Sequence, residues 1–115
     1  MDFYVINVLL NLLKLAISAK VGIGYLRSQI LKDKMNWLVY ILECSDRTYY
    51  CGITNNIEKR IKTHNKGTAS KYTRVRLPVK LIAKRANLTH SEALKLEHKV
   101  KQQKKDEKVE FLIGS

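Results

Sequence analysis

The chain is short of cysteine, proline and acid. Its 115 residues include two cysteines, one proline and ten Asp/Glu against twenty-two Lys/Arg. Two cysteines are too few for a disulfide scaffold, and Cys44 and Cys51 lack metal-ligand spacing. Both are expected as reduced, packed thiols, which suits a cytoplasmic protein. The shortage of acid leaves a formal charge of +12 and a pI near 9.9. That balance favours polyanionic partners, nucleic acid before an anionic membrane. A clean apolar run of bilayer length is missing too. Phe3 to Ala19 is mostly Leu, Ile and Val, but it is slightly short and is broken by Asn7, Asn11, Lys14 and Ser18. Asp2 stands where a secretory signal would carry basic residues, which argues against export.

Those interrupting polar residues fall at helical spacing, so residues 3–19 read as an apolar helix with a narrow polar stripe. Three readings of residues 1–34 stand. They form a helix docked on the domain or on a partner chain (a second copy included, through residues 3–19), a membrane-surface anchor, or a stretch ahead of the true start codon. Docking and an early start rank before anchoring. Gly22 and Gly24 break the periodicity, Lys32-Asp33-Lys34 reads as a linker, and one domain is expected over residues 35–115. Five Lys/Arg and two Asp/Glu lie in residues 1–34, which leaves +9 on the domain itself.

Two β-rich runs dominate that domain. Trp37 to Leu42 is continuously apolar, as in a strand covered on both faces, and Thr48 to Thr54 is aromatic and β-branched. The turn signal Ser45-Asp46-Arg47 lies between them, so the pair reads as a hairpin. With Leu42 opposite Tyr50, Tyr40 and Tyr50 become same-face diagonal neighbours about 7–8 Å apart at the backbone. Gly52 would then leave room for a ligand beside two phenols. The bland alternative is that both tyrosines simply cover the sheet.

A helix follows, with Asn55 as its expected N-cap and Glu58 closing a capping box. Ile57 and Ile61 form its apolar seam, and Arg60 and His64 lie one turn apart along the edge. A guanidinium at the rim of a tyrosine patch suits a phosphate clamp, against a merely structural Arg and a surface His. Asn65-Lys66-Gly67 ends the helix. Residues 67–77 then read as a basic loop, in which Lys71, Arg74 and Arg76 interleave with Tyr72. With Lys66, they suit gripping phosphates and stacking on an unpaired base, or form an ordinary solvated charge run. Pro78 opens a third strand expected over Val79–Ala86. Thr89 and Glu92 make a capping box for a helix reaching Gln103. Glu97 is expected on the apolar side of that helix, beside Ala93, Leu94 and Val100. A carboxylate there needs a cation, either a metal or a protein side chain. Val109–Ile113 is an apolar tail expected as a strand or short helix.

Leu38-Val39-Tyr40, nine residues, Tyr50-Cys51-Gly52-Ile53-Thr54, then a helix with Arg60 and His64, together resemble the GIY-YIG nuclease superfamily. The likeness is greatest to its small stand-alone bacterial members. It continues through Lys71-Tyr72-Thr73, Pro78-Val79-Lys80-Leu81 and Ser91 to Glu97, covering residues 36 to about 107. It implies an α+β fold, with a three-stranded antiparallel sheet flanked by helices and residues 1–34 as a helical extension. Met35 also stands where small members usually begin.

The implied activity is metal-dependent hydrolysis of DNA phosphodiesters, DNA ahead of RNA, in repair or uptake, with one Mg²⁺ or Mn²⁺. The resemblance makes Tyr40 the residue that activates or positions the water and Tyr50 the one that orients water or phosphate. Arg60 stabilises the scissile phosphate, His64 relays a proton or touches phosphate, and Glu97 holds the metal. Arg47 replaces a glycine common in the turn, and the asparagine that some members carry after the glutamate has no counterpart here. A non-catalytic nucleic-acid-binding module that keeps the fold is the competing reading.

Overall fold

Strand β1 (Trp37–Glu43) is the axis of the domain. It lies between β2 (Tyr49–Thr54) and β3 (Lys80–Leu88), in the order β2-β1-β3, antiparallel to both. A central strand has no solvated face once helices cover the sheet, which is why its sequence is apolar without alternation. Val39 and Ile41 point to one side, into a cluster with Cys51, Ala83, Ala93, Val100 and Leu112. Leu38, Tyr40 and Leu42 point to the other, where Val79, Ile57, Ile61, Leu77 and Leu81 meet them. Helices α3 (His90–Lys101) and α4 (Lys105–Gly114) therefore cover the first side, and α1 (Ile57–Asn65) covers the second. The expected α+β arrangement is present.

The computed structural model describes residues 5–11 and 34–114, and the chain divides into two compact units after Met35. Residues 5–11 are helical, within the run expected to be so. The remainder of that run, Gly22, Gly24 and the Lys32-Asp33 linker lie outside the described residues. No helix among the described residues is long and apolar enough to cross a membrane.

The hairpin register is the expected one, with Leu42 opposite Tyr50 and Ile41 opposite Cys51. Arg47 closes the turn with φ 67°, a left-handed conformation that glycine adopts far more cheaply. Asp46 secures the turn by accepting from the Thr48 amide (3.1 Å) and hydroxyl (2.6 Å).

Four local expectations are corrected. The N-cap of α1 is Asn56, whose side chain accepts from the Lys59 amide at 3.1 Å. Thr54 Oγ1 accepts from the Asn56 amide and keeps the chain extended one residue longer. Glu58 then sits too early in the first turn to close a box. Within the basic loop, Ser70 caps a short helix, α2 (Lys71–Arg74). Strand β3 starts at Lys80 because the Asn65 side chain occupies both backbone groups of Val79, donating to its oxygen and accepting from its nitrogen. Helix α3 has the expected capping box but ends at Lys101, where Lys108 Nζ donates to the carbonyls of Val100 and Lys101. The tail is helical, as α4.

Candidate active site

On the α1 face of the sheet, four side chains from three elements form one hydrogen-bonded row. Arg60 Nε lies 3.3 Å from the Tyr40 hydroxyl, which lies 2.9 Å from His64 Nε2. On its far side His64 Nδ1 lies 2.9 Å from Thr73 Oγ1. Tyr40, His64 and Thr73 are fully buried, while Arg60 is half-buried. Helical spacing brings Arg60 and His64 to the same edge of α1, and Tyr40 rises from the central strand to meet them. Burial pushes the Tyr40 phenol up to about 12, against the opposing pull of the Arg60 hydrogen bond. Burial first, and then the Arg60 charge, hold His64 down at about 4. The hydrogen bond to Tyr40 raises Arg60 further above its ordinary value. His64 is thus a neutral imidazole inside the core, not a surface residue.

Gly52 does not leave a vacancy for a ligand. It pairs directly with Tyr40 across the hairpin, and a Cβ built there would fall 2.6 Å from the Tyr40 hydroxyl. The phenol ring lies over the bare backbone, so the space is already filled by Tyr40 itself.

Tyr50 is the half-exposed phenol of the pair. Its ring centroid lies 6.3 Å from that of Tyr40 and 5.0 Å from that of His64, edge-on to the latter. Tyr72 stacks beside Tyr50 at 6.3 Å and is 38% exposed. The Arg76 guanidinium sits 3.9 Å from the Tyr72 ring centroid, donates to the Tyr72 carbonyl and pairs with Asp46 at 3.0 Å. Arg76 is therefore a strut between the β1–β2 turn and α2 rather than a free cation in a loop. Lys66, Lys71 and Arg74 are exposed, and the last two line a surface depression of about 390 Å³ with Gly67, Thr68, Ala69 and Ser70.

Glu97 lies on α3, which covers the opposite side of the sheet. Ala93, Leu96 and Val100 carry the packing there, while Leu94 is exposed. The Glu97 side chain is 20% exposed and sits 3.7 Å from Lys101, itself 55% exposed. Its charge reaches Cys51, which burial first and Glu97 second push up to about 11. Beside it, an open cleft of about 260 Å³ runs along the edge of β2, lined by Tyr49, Tyr50, Cys51, Tyr72, Lys101 and Lys108. This edge is where the two faces of the sheet meet, and Tyr50 takes part in both regions.

The GIY-YIG catalytic domain profile matches residues 36–110, about two thirds of the chain. The chain belongs to the GIY-YIG family. It is similar to several small bacterial proteins of one group. It is 42% identical over 76 residues to a UPF0213 protein of Nitratidesulfovibrio vulgaris, covering 66% of this chain and 69% of the relative. It is 44% identical over 80 residues to a UPF0213 protein of Bacillus cereus, covering 70% and 83%. A solution NMR structure of a UPF0213 protein from Bacillus halodurans shares 42% identity, covering 70% of this chain and 84% of that one, with a TM-score of 0.43.

Within this GIY-YIG domain, the structure joins Tyr40, Tyr50, Arg60 and His64 but keeps Glu97 on the other side of the sheet, where it could meet them only around the open β2 edge. GIY-YIG nucleases generally use a divalent metal. Among the described residues no three His, Cys, Asp or Glu side chains cluster to hold one, and Glu97 is the ligand that the family resemblance implies. Its carboxylate is largely shielded, and the Lys101 ammonium paired with it at 3.7 Å is exposed, a kind of pair worth about 0–1 kcal/mol. That donor set fits a hard cation that keeps most of its water and takes its remaining ligands from a substrate phosphate. Two contributors were not assigned from sequence, Thr73 and Asp46. The signal for Thr73 was a hydroxyl in Lys71-Tyr72-Thr73, and for Asp46 a turn acid facing a basic loop. Neither spacing says that they converge.

Proposed function

We propose that this GIY-YIG protein is a metal-dependent nuclease that hydrolyses DNA phosphodiester bonds, in repair or other DNA processing in the cytoplasm. The supporting observation is the row of Arg60, Tyr40 and His64 with the Tyr50 phenol beside it, built by a family of catalytic domains. Arg60 and Tyr50 are the half-exposed members, so an incoming phosphate meets them first. The guanidinium offers charge relief to the scissile phosphate and to the charge that grows on it in the transition state. Tyr50 orients the phosphate or the attacking water. Tyr40 stands behind them with its hydroxyl covered, so its contact with water requires Arg60 or Tyr50 to shift on binding. Glu97 would hold the Mg²⁺ or Mn²⁺, which would supply charge relief and stabilise the leaving oxygen. Lys66, Lys71 and Arg74 grip the flanking backbone. Two buried free thiols are at home in a reducing compartment.

One observation favours a second reading, a nucleic-acid-binding module without catalysis. Glu97 already has a cationic partner, and it sits across the sheet from Tyr40. The deciding experiment incubates the purified full chain with duplex, single-stranded, flapped and branched DNA in Mg²⁺ and in Mn²⁺. The expected result is cleavage that is lost in Glu97→Ala and in Arg60→Ala while binding persists. Undiminished cleavage by Glu97→Ala would remove this metal site. Salt-sensitive binding with no cleavage of any substrate would establish the second reading.

A further inference from the structure

The row of buried polar groups extends past His64. Thr73 Oγ1 lies 2.9 Å from His64 Nδ1, and the same hydroxyl lies 3.5 Å from the backbone oxygen of Ser70. The row therefore runs Arg60, Tyr40, His64, Thr73, Ser70, and its two ends are chemically opposite. A guanidinium can only donate and a carbonyl can only accept. Between them stand one phenolic proton, one imidazole proton and one hydroxyl proton. Every contact is satisfied once if all the protons point the same way: Arg60 Nε–H to Tyr40, Tyr40 O–H to His64 Nε2, His64 Nδ1–H to Thr73, and Thr73 O–H to Ser70.

The reverse order fails at Tyr40. If His64 carried its proton on Nε2, the Tyr40 oxygen would accept from both His64 and Arg60, and its own proton would be left in a fully buried site facing a group that cannot accept. A protonated imidazolium fails in the same way. The groups facing His64 are Arg60 on its own helix, Tyr40 on β1, Tyr50 on β2 and the uncharged Thr73 on α2. Arg60 opposes a second positive charge, and burial does the same, so the neutral ring is the one present above about pH 4.

We propose that Thr73 is a positioning residue that holds His64 as its Nδ1–H tautomer, so that Nε2 accepts the Tyr40 proton and the phenol oxygen turns only lone pairs towards Arg60 and the site. This deepens the proposed active site: a phenol so held presents accepting lone pairs to the water or phosphate that reaches Arg60. The phenol never has to ionise in advance, which its high pKa would forbid at neutral pH.

Long-range ¹H–¹⁵N correlation spectra of the ¹⁵N-labelled full chain at pH 7 test the tautomer without any need for activity. The expected pattern for His64 is a protonated Nδ1 and an unprotonated Nε2. Thr73→Val is expected to mix in the Nε2–H form, and Thr73→Ser to restore the wild-type pattern. In cleavage assays Thr73→Val lowers kcat with KM unchanged and moves the acid limb of the pH profile, and Thr73→Ser recovers both. An Nε2–H signal for His64 in the wild-type protein would overturn the proposal, whether or not Thr73→Val folds. An unchanged tautomer in folded Thr73→Val would overturn the role of Thr73. If no DNA is cleaved but the tautomer is as expected, the nuclease reading fails and the positioning by Thr73 stands.

Discussion

At the scale of single residues, Gly52 and His64 show how closely the domain is fitted around Tyr40. Gly52→Ala sets a methyl group against the phenol at well under contact distance, from both the hydroxyl and the ring. Overpacking of this kind costs about 1–3 kcal/mol, and urea unfolding is expected to show a loss in that range. His64 gives the fold a pH dependence whose sign follows from its depressed pKa of about 4, against 6.5 for a free imidazole. Above pH 6.5 both folded and unfolded chains hold it neutral and it contributes nothing. As the pH falls below 6.5 the unfolded chain takes up a proton that the folded chain refuses until about 4. Stability is therefore full above 6.5, drops by roughly 3 kcal/mol on the way to pH 4, and levels off below. Denaturant titrations at pH 7, 5.5 and 4.5 check this, and the His64 share of the drop should vanish in a folded His64→Gln protein.

At the scale of elements, the turn, the caps and the loop behave differently. Arg47 occupies a left-handed position with φ 67°, so Arg47→Gly is expected to raise stability by about 1 kcal/mol, read as a higher urea midpoint with an unchanged slope. Thr89→Ala removes one half of the capping box of α3 and is expected to cost about 1 kcal/mol in the same measurement. Most strands, helices and the hairpin register were legible because apolar period, turn residues and capping pairs are local signals. The corrections fall where a side chain from elsewhere takes over the backbone. Thr54 moves the cap of α1 to Asn56, and Asn65 withdraws Val79 from the sheet. Composition marked residues 67–77 as basic, but only the Asp46–Arg76 pair reveals that one of those cations is neutralised.

For the whole molecule, the charge of +12 sets how any polyanion is held. Binding to DNA is expected to weaken steeply as salt rises, because each phosphate contact releases counterions. Lys71→Ala and Arg74→Ala should each flatten the slope of log K against log salt by about 1. Arg76→Ala should instead lower stability and loosen Tyr72, since that cation is spent on Asp46 and the Tyr72 ring. Fluorescence anisotropy with a labelled oligonucleotide over a range of salt separates the two outcomes.

What the sequence determined by itself was the pattern: an apolar central strand, a hairpin with Tyr40 and Tyr50 on one face, a helix edge with Arg60 and His64, and a capped helix bearing Glu97. Strand alternation and helical spacing dictate which side chains share a face, and both are properties of the chain alone. Only the tertiary structure decided that Tyr40 is covered and not open to solvent, that Thr73 completes the row from another element, and that Glu97 sits across the sheet. Those outcomes depend on how separate elements pack, and a buried proton can point only where a partner from another part of the fold is placed to accept it.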